Sequence, residues 1–472
     1  MAAPLIGGLM FMSCAEAKQA NTEERELPGY VEGARHLYQN NHDKKNRNLE
    51  NGNGEASKRK AGRNNDAHKG DTKVNLSERH GGADKDGAEA QVTLRKVRLT
   101  WQLVPGAVRY QVVLLRDKND TPENVVSVQN YVFTEGLEID LQKYGERAKD
   151  FYWKVCPLTF EGNAMGSFSE PKPIIEGELN PKAPRPTTEY DKMDYFPLYP
   201  VFSWIPTSNA KHHEVEVVKH TDEGDVVIRR LYGGEYDVYE EGGYTTPGDY
   251  AWRVRSVTDE GYQTSDWCEP VEFHVTSPVK VAAFGDSITH GGGAISIPLS
   301  FAMYNWETYS PVPVKNLGMS GDTTGDMLYR FDRDVLPFQP KILVVMGGVN
   351  DCRGSVPGWE TVMNLAKIRT KCLENNIIPV FVTVTPVNPG MIANRGILET
   401  PREDWQVHQE YVNDWIIRQS YHVDVHSVLS DINGHLDARY TSDGLHPDME
   451  AKQYIGETVG AYLIDNFPNM LR

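Results

Sequence analysis

The chain has 472 residues, too many for one ordinary domain, so two to four are expected. Lys and Arg total 49 against 66 Asp and Glu, and a net charge of −17 makes it a poor partner for nucleic acid or anionic membrane. Five cysteines (Cys14, Cys156, Cys268, Cys352, Cys372) lie far apart with no Cys-x-x-Cys pair, which argues against a zinc site and a disulfide framework.

Residues 1–13 are apolar and small, too few to span a bilayer, and run into Cys14. Residues 1–18 resemble the end of a bacterial lipoprotein signal, with Ser13 before a lipidatable Cys14, although no Lys or Arg precedes the apolar run. The expectation is export to the periplasm, the cell surface or the medium, with membrane attachment only through a lipidated Cys14. Residues 19–90 are polar and rich in Asn, Gly, Lys, Asp and Glu. They hold too few apolar side chains to offset ordering entropy, so a disordered segment is expected, its four histidines solvated.

An internal repeat follows. Leu99-Thr100-Trp101, Pro105 and the apolar run 110–114 are matched by Phe202-Ser203-Trp204, Pro206 and the run 214–218. Tyr152-Trp153-Lys154-Val155 is matched by Ala251-Trp252-Arg253-Val254, and the Trp separations are 52 and 48 residues. Alternating strands, polar turns and paired tryptophans at this period predict two tandem β-sandwiches over 91–178 and 179–276. They resemble fibronectin type III modules, and their tryptophans read as core.

After Ser277-Pro278 the pattern changes. Apolar strands are expected at 279–284, 312–316, 342–346, 378–383 and 423–428, with helices between them at 361–374, 403–418 and 449–467. Such alternation predicts a parallel sheet covered on both faces over 277–472. Ligands then bind at the strands' carboxyl ends.

The chemistry-bearing residues gather at those ends. Ser287 follows the first strand, Gly321 follows the second, Asn350 the third, and Asp443 and His446 follow the last. A serine hydroxyl needs a base within reach to act as a nucleophile. His446 can take the proton and return it to a leaving alcohol, and Asp443 can hold the imidazole. The N–H groups of Ser287 and Gly321 and the amide of Asn350 can serve as the oxyanion hole.

Gly285-Asp286-Ser287-Ile288-Thr289, Ser320-Gly321-Asp322-Thr323, Gly348-Val349-Asn350-Asp351 and Asp443-Gly444-Leu445-His446-Pro447 together resemble the four blocks of the SGNH hydrolases, also called the GDSL esterase family. The resemblance covers 279–467, and Ile288 replaces the leucine of the family name. It implies a flavodoxin-like three-layer α/β fold and ester hydrolysis without metal or organic cofactor. The expected whole is multidomain: two β-sandwiches followed by the hydrolase.

Asp286 and Asp351 read as structural, bonding loop backbone. His290-Gly291-Gly292-Gly293 imitates a lipase oxyanion motif, but no G-x-S-x-G elbow occurs, and a flexible glycine loop is expected. Cys352 reads as a buried filler. His422, His426 and His435 are rivals to His446 without an acid three residues before them. Tyr304, Trp306, Trp359 and residues 386–401 are candidates for the crevice rim, with core packing an equal explanation for the aromatic ones. The expected substrate is an O-acetyl or other short-acyl carbohydrate ester. The alternatives are a lipase or thioesterase, and a glycan-binding protein with a vestigial hydrolase domain.

Overall fold

The computed structural model describes residues 94–293, 299–354, 356–395 and 401–471. The expected leader with Cys14, the polar segment to residue 90 and part of the 386–401 segment lie outside the described residues. The chain forms two compact units, which meet in sequence at Asn180 and Pro181.

The first unit holds β1 (Lys96–Thr100), β2 (Arg109–Leu115), β3 (Val125–Val132), β4 (Gly136–Asp140), β5 (Tyr152–Leu158), β6 (Lys172–Pro173) and β7 (Glu178–Leu179). Two antiparallel sheets run β4-β1-β7 and β3-β2-β5-β6. Alternate residues line one face of a strand. Val97 and Leu99 thus meet Tyr110, Val112, Leu114, Trp153 and Val155 in one buried core. Trp101 packs 5.9 Å from Trp153, ring to ring.

The second unit begins with β8 (Arg185–Pro186), β9 (Val201–Ile205), β10 (His212–Lys219), β11 (Val226–Gly233), β12 (Asp237–Tyr239), β13 (Gly248–Val257) and β14 (Val271–Val275). Its antiparallel sheets are β12-β9-β8 and β11-β10-β13-β14; β9 to β14 repeat the order of β1 to β6, while the strand beside β9 comes first in the chain and the one beside β1 comes last. Trp204 and Trp252 are fully buried, and Trp252 lies 4.7 Å from Phe202.

The same unit continues into five strands, β15 (Val281–Gly285), β16 (Lys315–Asn316), β17 (Ile342–Met346), β18 (Ile378–Val382) and β19 (His422–Val423). All are parallel, in the order β16-β15-β17-β18-β19. Every residue of β15 and β17 is buried, as near-continuous apolar strands require. The crossovers from β16 onward run one way along the sheet. Right-handed connections therefore put the helices Thr324–Asp334, Gly358–Glu374 and Trp405–Ile416 on one face. The β15-to-β16 connection runs the other way, and the helix Met449–Asn466 packs on its turns Ala302–Tyr304 and Trp306–Tyr309.

Two expected strands are shorter than predicted. At 312–316 only Lys315–Asn316 pairs, because Pro311 and Pro313 lack the N–H a ladder needs. At 423–428 pairing stops at Val423, because the Asp424 carboxylate accepts from Ser427 N and Oγ and starts the turn of helix His426–Leu429. The helix Thr324–Asp334, absent from the expected set, is opened by a capping box between Thr323 and Asp326.

The second sandwich and the parallel layer share one hydrophobic core. The segment between β8 and β9 makes the seam. Leu198 N–H donates to Asn316 O at 3.0 Å, Glu189 N–H to Ser300 O at 2.8 Å, and Lys315 Nζ to Phe196 O at 2.5 Å. Phe196 in turn stacks on Phe273 of β14 at 3.9 Å.

Candidate active site

The strand order reverses direction at β15, between β16 and β17, which is where a crevice opens at the carboxyl ends of such a sheet. Ser287 follows β15 and Asn350 follows β17, so the two flank this point. Ser287 is the first residue of a one-turn helix, Ser287–His290, whose N-cap Asp286 accepts from Ile288 N–H at 3.0 Å.

His446 Nε2 lies 3.2 Å from Ser287 Oγ, and its Nδ1 lies 2.8 Å from Asp443 Oδ2. A carboxylate only accepts, so Nδ1 carries the proton and Nε2 presents a lone pair to the serine. The other oxygen of Asp443 accepts the N–H groups of Leu445 and His446, each at 2.8 Å. Burial alone would raise the Asp443 carboxyl, but the attraction of His446 and these bonds bring it below the ordinary value. It therefore stays ionised under the imidazole. Gly444 makes the loop possible: its φ is +84°, and a Cβ there would sit 2.6 Å from Asn388 O.

Gly321 sits in a turn at φ +84°, which a side chain would strain. Asn350 Nδ2 donates to Asp322 O at 2.9 Å, so its amide joins the backbone next to Gly321. Arg330, fully enclosed, ties these parts to the strand before Ser287: it donates to Gly285 O at 2.9 Å, Leu317 O at 2.8 Å and Asp322 Oδ2 at 2.5 Å. Lys452, buried in the helix after His446, donates to Ile288 O at 2.5 Å, one residue past Ser287.

The structure thus brings Ser287, His446 and Asp443 into one line, and sets Asn350 on the Gly321 turn. Asp351 accepts from Thr324 N–H and Oγ1, fixing the start of that helix. Asp286 is raised to about 7 by burial, only partly offset by its bond from Ile288, with Asp322 and Asp351 adding to the rise. The rival histidines point elsewhere: His426 Nδ1 to Val384 O, His422 Nδ1 to Gln419 O, and His435 to the Trp405 ring. Cys352 is buried and its thiol is held well above the ordinary range by that burial. Among the aromatic rim candidates, Tyr304 and Trp306 are fully buried core residues, and Trp359 is exposed. The glycine-loop expectation fails at His290, which ends the helix that Ser287 begins and is buried between two partners.

Arg330, Lys452 and His290 escaped the sequence reading. A signal existed for the first two. Arg330 falls on the stripe of Met327, Phe331 and Asp334, and Lys452 on that of Ala451, Ile455 and Val459; a lone cation on the inward stripe of a helix needs a buried acceptor. Among the described residues, no group of three or more His, Cys, Asp or Glu could hold a metal ion, and no helix is long and apolar enough to cross a membrane.

Residues 283–454 match the model of the GDSL-like Lipase/Acylhydrolase family. No curated protein matches the chain. Similar solved structures include a GDSL-like lipase from Bacteroides thetaiotaomicron VPI-5482, 22% identical over 40% of this chain and 92% of that one, TM-score 0.33. A lipase/acylhydrolase from Enterococcus faecalis is 21% identical over 41% and 97%, TM-score 0.33. A catalytic mutant of an acetylxylan esterase from Geobacillus stearothermophilus is 17% identical over 42% and 98%, TM-score 0.30. Residues 283–454 are a GDSL-like acylhydrolase domain, and the protein is an ester-hydrolysing enzyme.

Proposed function

We propose that this enzyme is a serine esterase that removes short acyl groups, chiefly acetyl, from carbohydrates through an acyl-enzyme. Ser287 Oγ attacks the ester carbonyl while its proton passes to His446 Nε2. The C–O bond to the alcohol then breaks, and the alcohol leaves with that proton. Water, deprotonated by His446, attacks the acyl-enzyme and frees Ser287 and the acid. Asp443 keeps the imidazole in its tautomer and stabilises the imidazolium. The N–H groups of Ser287 and Gly321 and the amide of Asn350 carry the oxyanion.

The observation that supports this most is the relay from Ser287 Oγ to His446 at 3.2 Å and on to Asp443 at 2.8 Å. The carbohydrate alcohol is inferred from the tandem sandwiches ahead of the esterase domain. We read those sandwiches as fibronectin III-like modules; the order shared by six of their seven strands and their paired core tryptophans support it.

The purified chain should cleave p-nitrophenyl acetate and release acetate from acetylated polysaccharides, and Ser287→Ala should lower kcat by about 10⁴-fold or more. Unchanged turnover in that variant removes Ser287 from the mechanism. In a series of acyl esters, preference for long chains would defeat the short-acyl assignment and make the enzyme a lipase.

A further inference from the structure

Tyr199 belongs to the segment between β8 and β9, outside residues 283–454, yet two routes lead from it to the turn of Gly321. The first runs through His290. Its Nε2 lies 2.6 Å from Tyr199 O, and its Nδ1 lies 3.1 Å from Ser320 N and 2.9 Å from Ser320 Oγ. A backbone N–H can only donate, so Nδ1 holds the lone pair and Nε2–H donates to Tyr199. Burial holds the ring's pKa down to about 4, so the neutral form that this bridge requires persists.

The second route runs through the Tyr199 hydroxyl, which donates to Asp334 Oδ2 at 2.6 Å. Arg330 Nη1 meets the same oxygen at 3.2 Å, and Arg330 Nε donates to Asp322 Oδ2 at 2.5 Å. The two routes end on Ser320 and Asp322, the neighbours of Gly321 on either side.

A Cβ built at Gly321 would meet nothing within 4 Å, so no side-chain packing could brace the turn there. The bonds to Ser320 and Asp322 are then the restraints on either side of its N–H. An oxyanion donor works only when aimed before the reaction begins. We propose that Tyr199 and His290 are positioning residues for the oxyanion hole, so that the second sandwich supplies part of the frame on which catalysis depends. This inference rests on the assignment of Ser287, Gly321 and Asn350 made above.

The test uses the full chain and p-nitrophenyl acetate, with kcat, KM and thermal midpoint measured for each variant. Tyr199→Phe removes only the hydroxyl. The side chains introduced by His290→Leu and His290→Asn have the same branching and number of heavy atoms, but the asparagine oxygen falls near Nδ1 and can still accept from Ser320. Tyr199→Phe should lower kcat about tenfold with KM within about twofold, and His290→Asn should exceed His290→Leu in kcat by about tenfold. A loss of packing alone would not be rescued by Asn over Leu, and would not fall on kcat while sparing KM. A Tyr199→Phe enzyme with wild-type kcat, or Asn no faster than Leu, overturns the proposal. If His290→Leu fails to fold, the Tyr199→Phe comparison decides alone. Turnover surviving in Ser287→Ala would instead sink the site assignment. An inert Ser287→Ala beside a fully active Tyr199→Phe sinks only this inference.

Discussion

At the scale of single residues, Asp443 is the group whose environment is most completely specified. Both carboxylate oxygens are occupied, one by the imidazole and one by two backbone N–H groups. Asp443→Asn should therefore keep the loop but place an amide where the imidazole expects an acceptor. A kcat fall of about 10³–10⁴-fold with a nearly unchanged thermal midpoint is expected, as for a histidine turned to the wrong tautomer. Steady-state kinetics beside a melting curve checks it; a fall below tenfold would mean that Asp443 does not set the tautomer. The meeting of Asp443, His446 and Ser287 was legible in the sequence because the spacing and order that the proposed relay requires are themselves chemical constraints. His290 was not. A histidine before three glycines carries no mark of its partners, and its role depends on Tyr199, 91 residues away.

At the scale of elements, the parallel sheet was readable from continuous apolar strands, whereas strand lengths were not. Prolines beside Val312 and the side chain of Asp424 cut two strands short by local bonding that an apolar run does not reveal. β16 carries a further expectation. Lys315 is fully buried, donates to Phe196 O, and lies 4.6 Å from the Phe338 ring centre. Burial pushes its pKa down to about 7. An unfolded lysine titrates near 10.4. Between these values the unfolded chain holds the extra proton, so stability rises with pH across the window, by up to about 1.4 kcal/mol per pH unit. Lys315→Met should abolish this slope. The variant's thermal midpoint relative to wild type should be highest below pH 7 and fall steadily toward pH 10. A constant difference across that range would show that Lys315 does not lose its proton on folding.

At the scale of the molecule, the repeat in the sequence became two sandwiches that share the order of six strands, while the seam after the second sandwich could not be read. Nothing at Ser277-Pro278 marks the apolar side chains on either side as parts of one core. Phe196 and Leu198 are buried, and each large apolar side chain taken from water contributes roughly 1.5–3 kcal/mol. A chain beginning at residue 181 should therefore unfold in a single calorimetric transition. One beginning at residue 277 should lack a cooperative transition or aggregate. A sharp, reversible melt from the shorter chain would refute the shared core. Segment 94–180 has its own buried cluster and should melt independently.

The shared core also bears on how such a chain can be rearranged by descent or by design. The two sandwiches look like interchangeable cassettes, since six of their seven strands follow the same order. Only the first has a closed interior that a recombination event could lift out whole. The second has surrendered its interior to its neighbour, so exchanging it for a homologous sandwich would need matched changes at Lys315, whose Nζ donates to Phe196 O, and at Ser300, whose Oγ accepts from Ser203. Shuffling should thus vary what lies before residue 181 far more freely than anything after it.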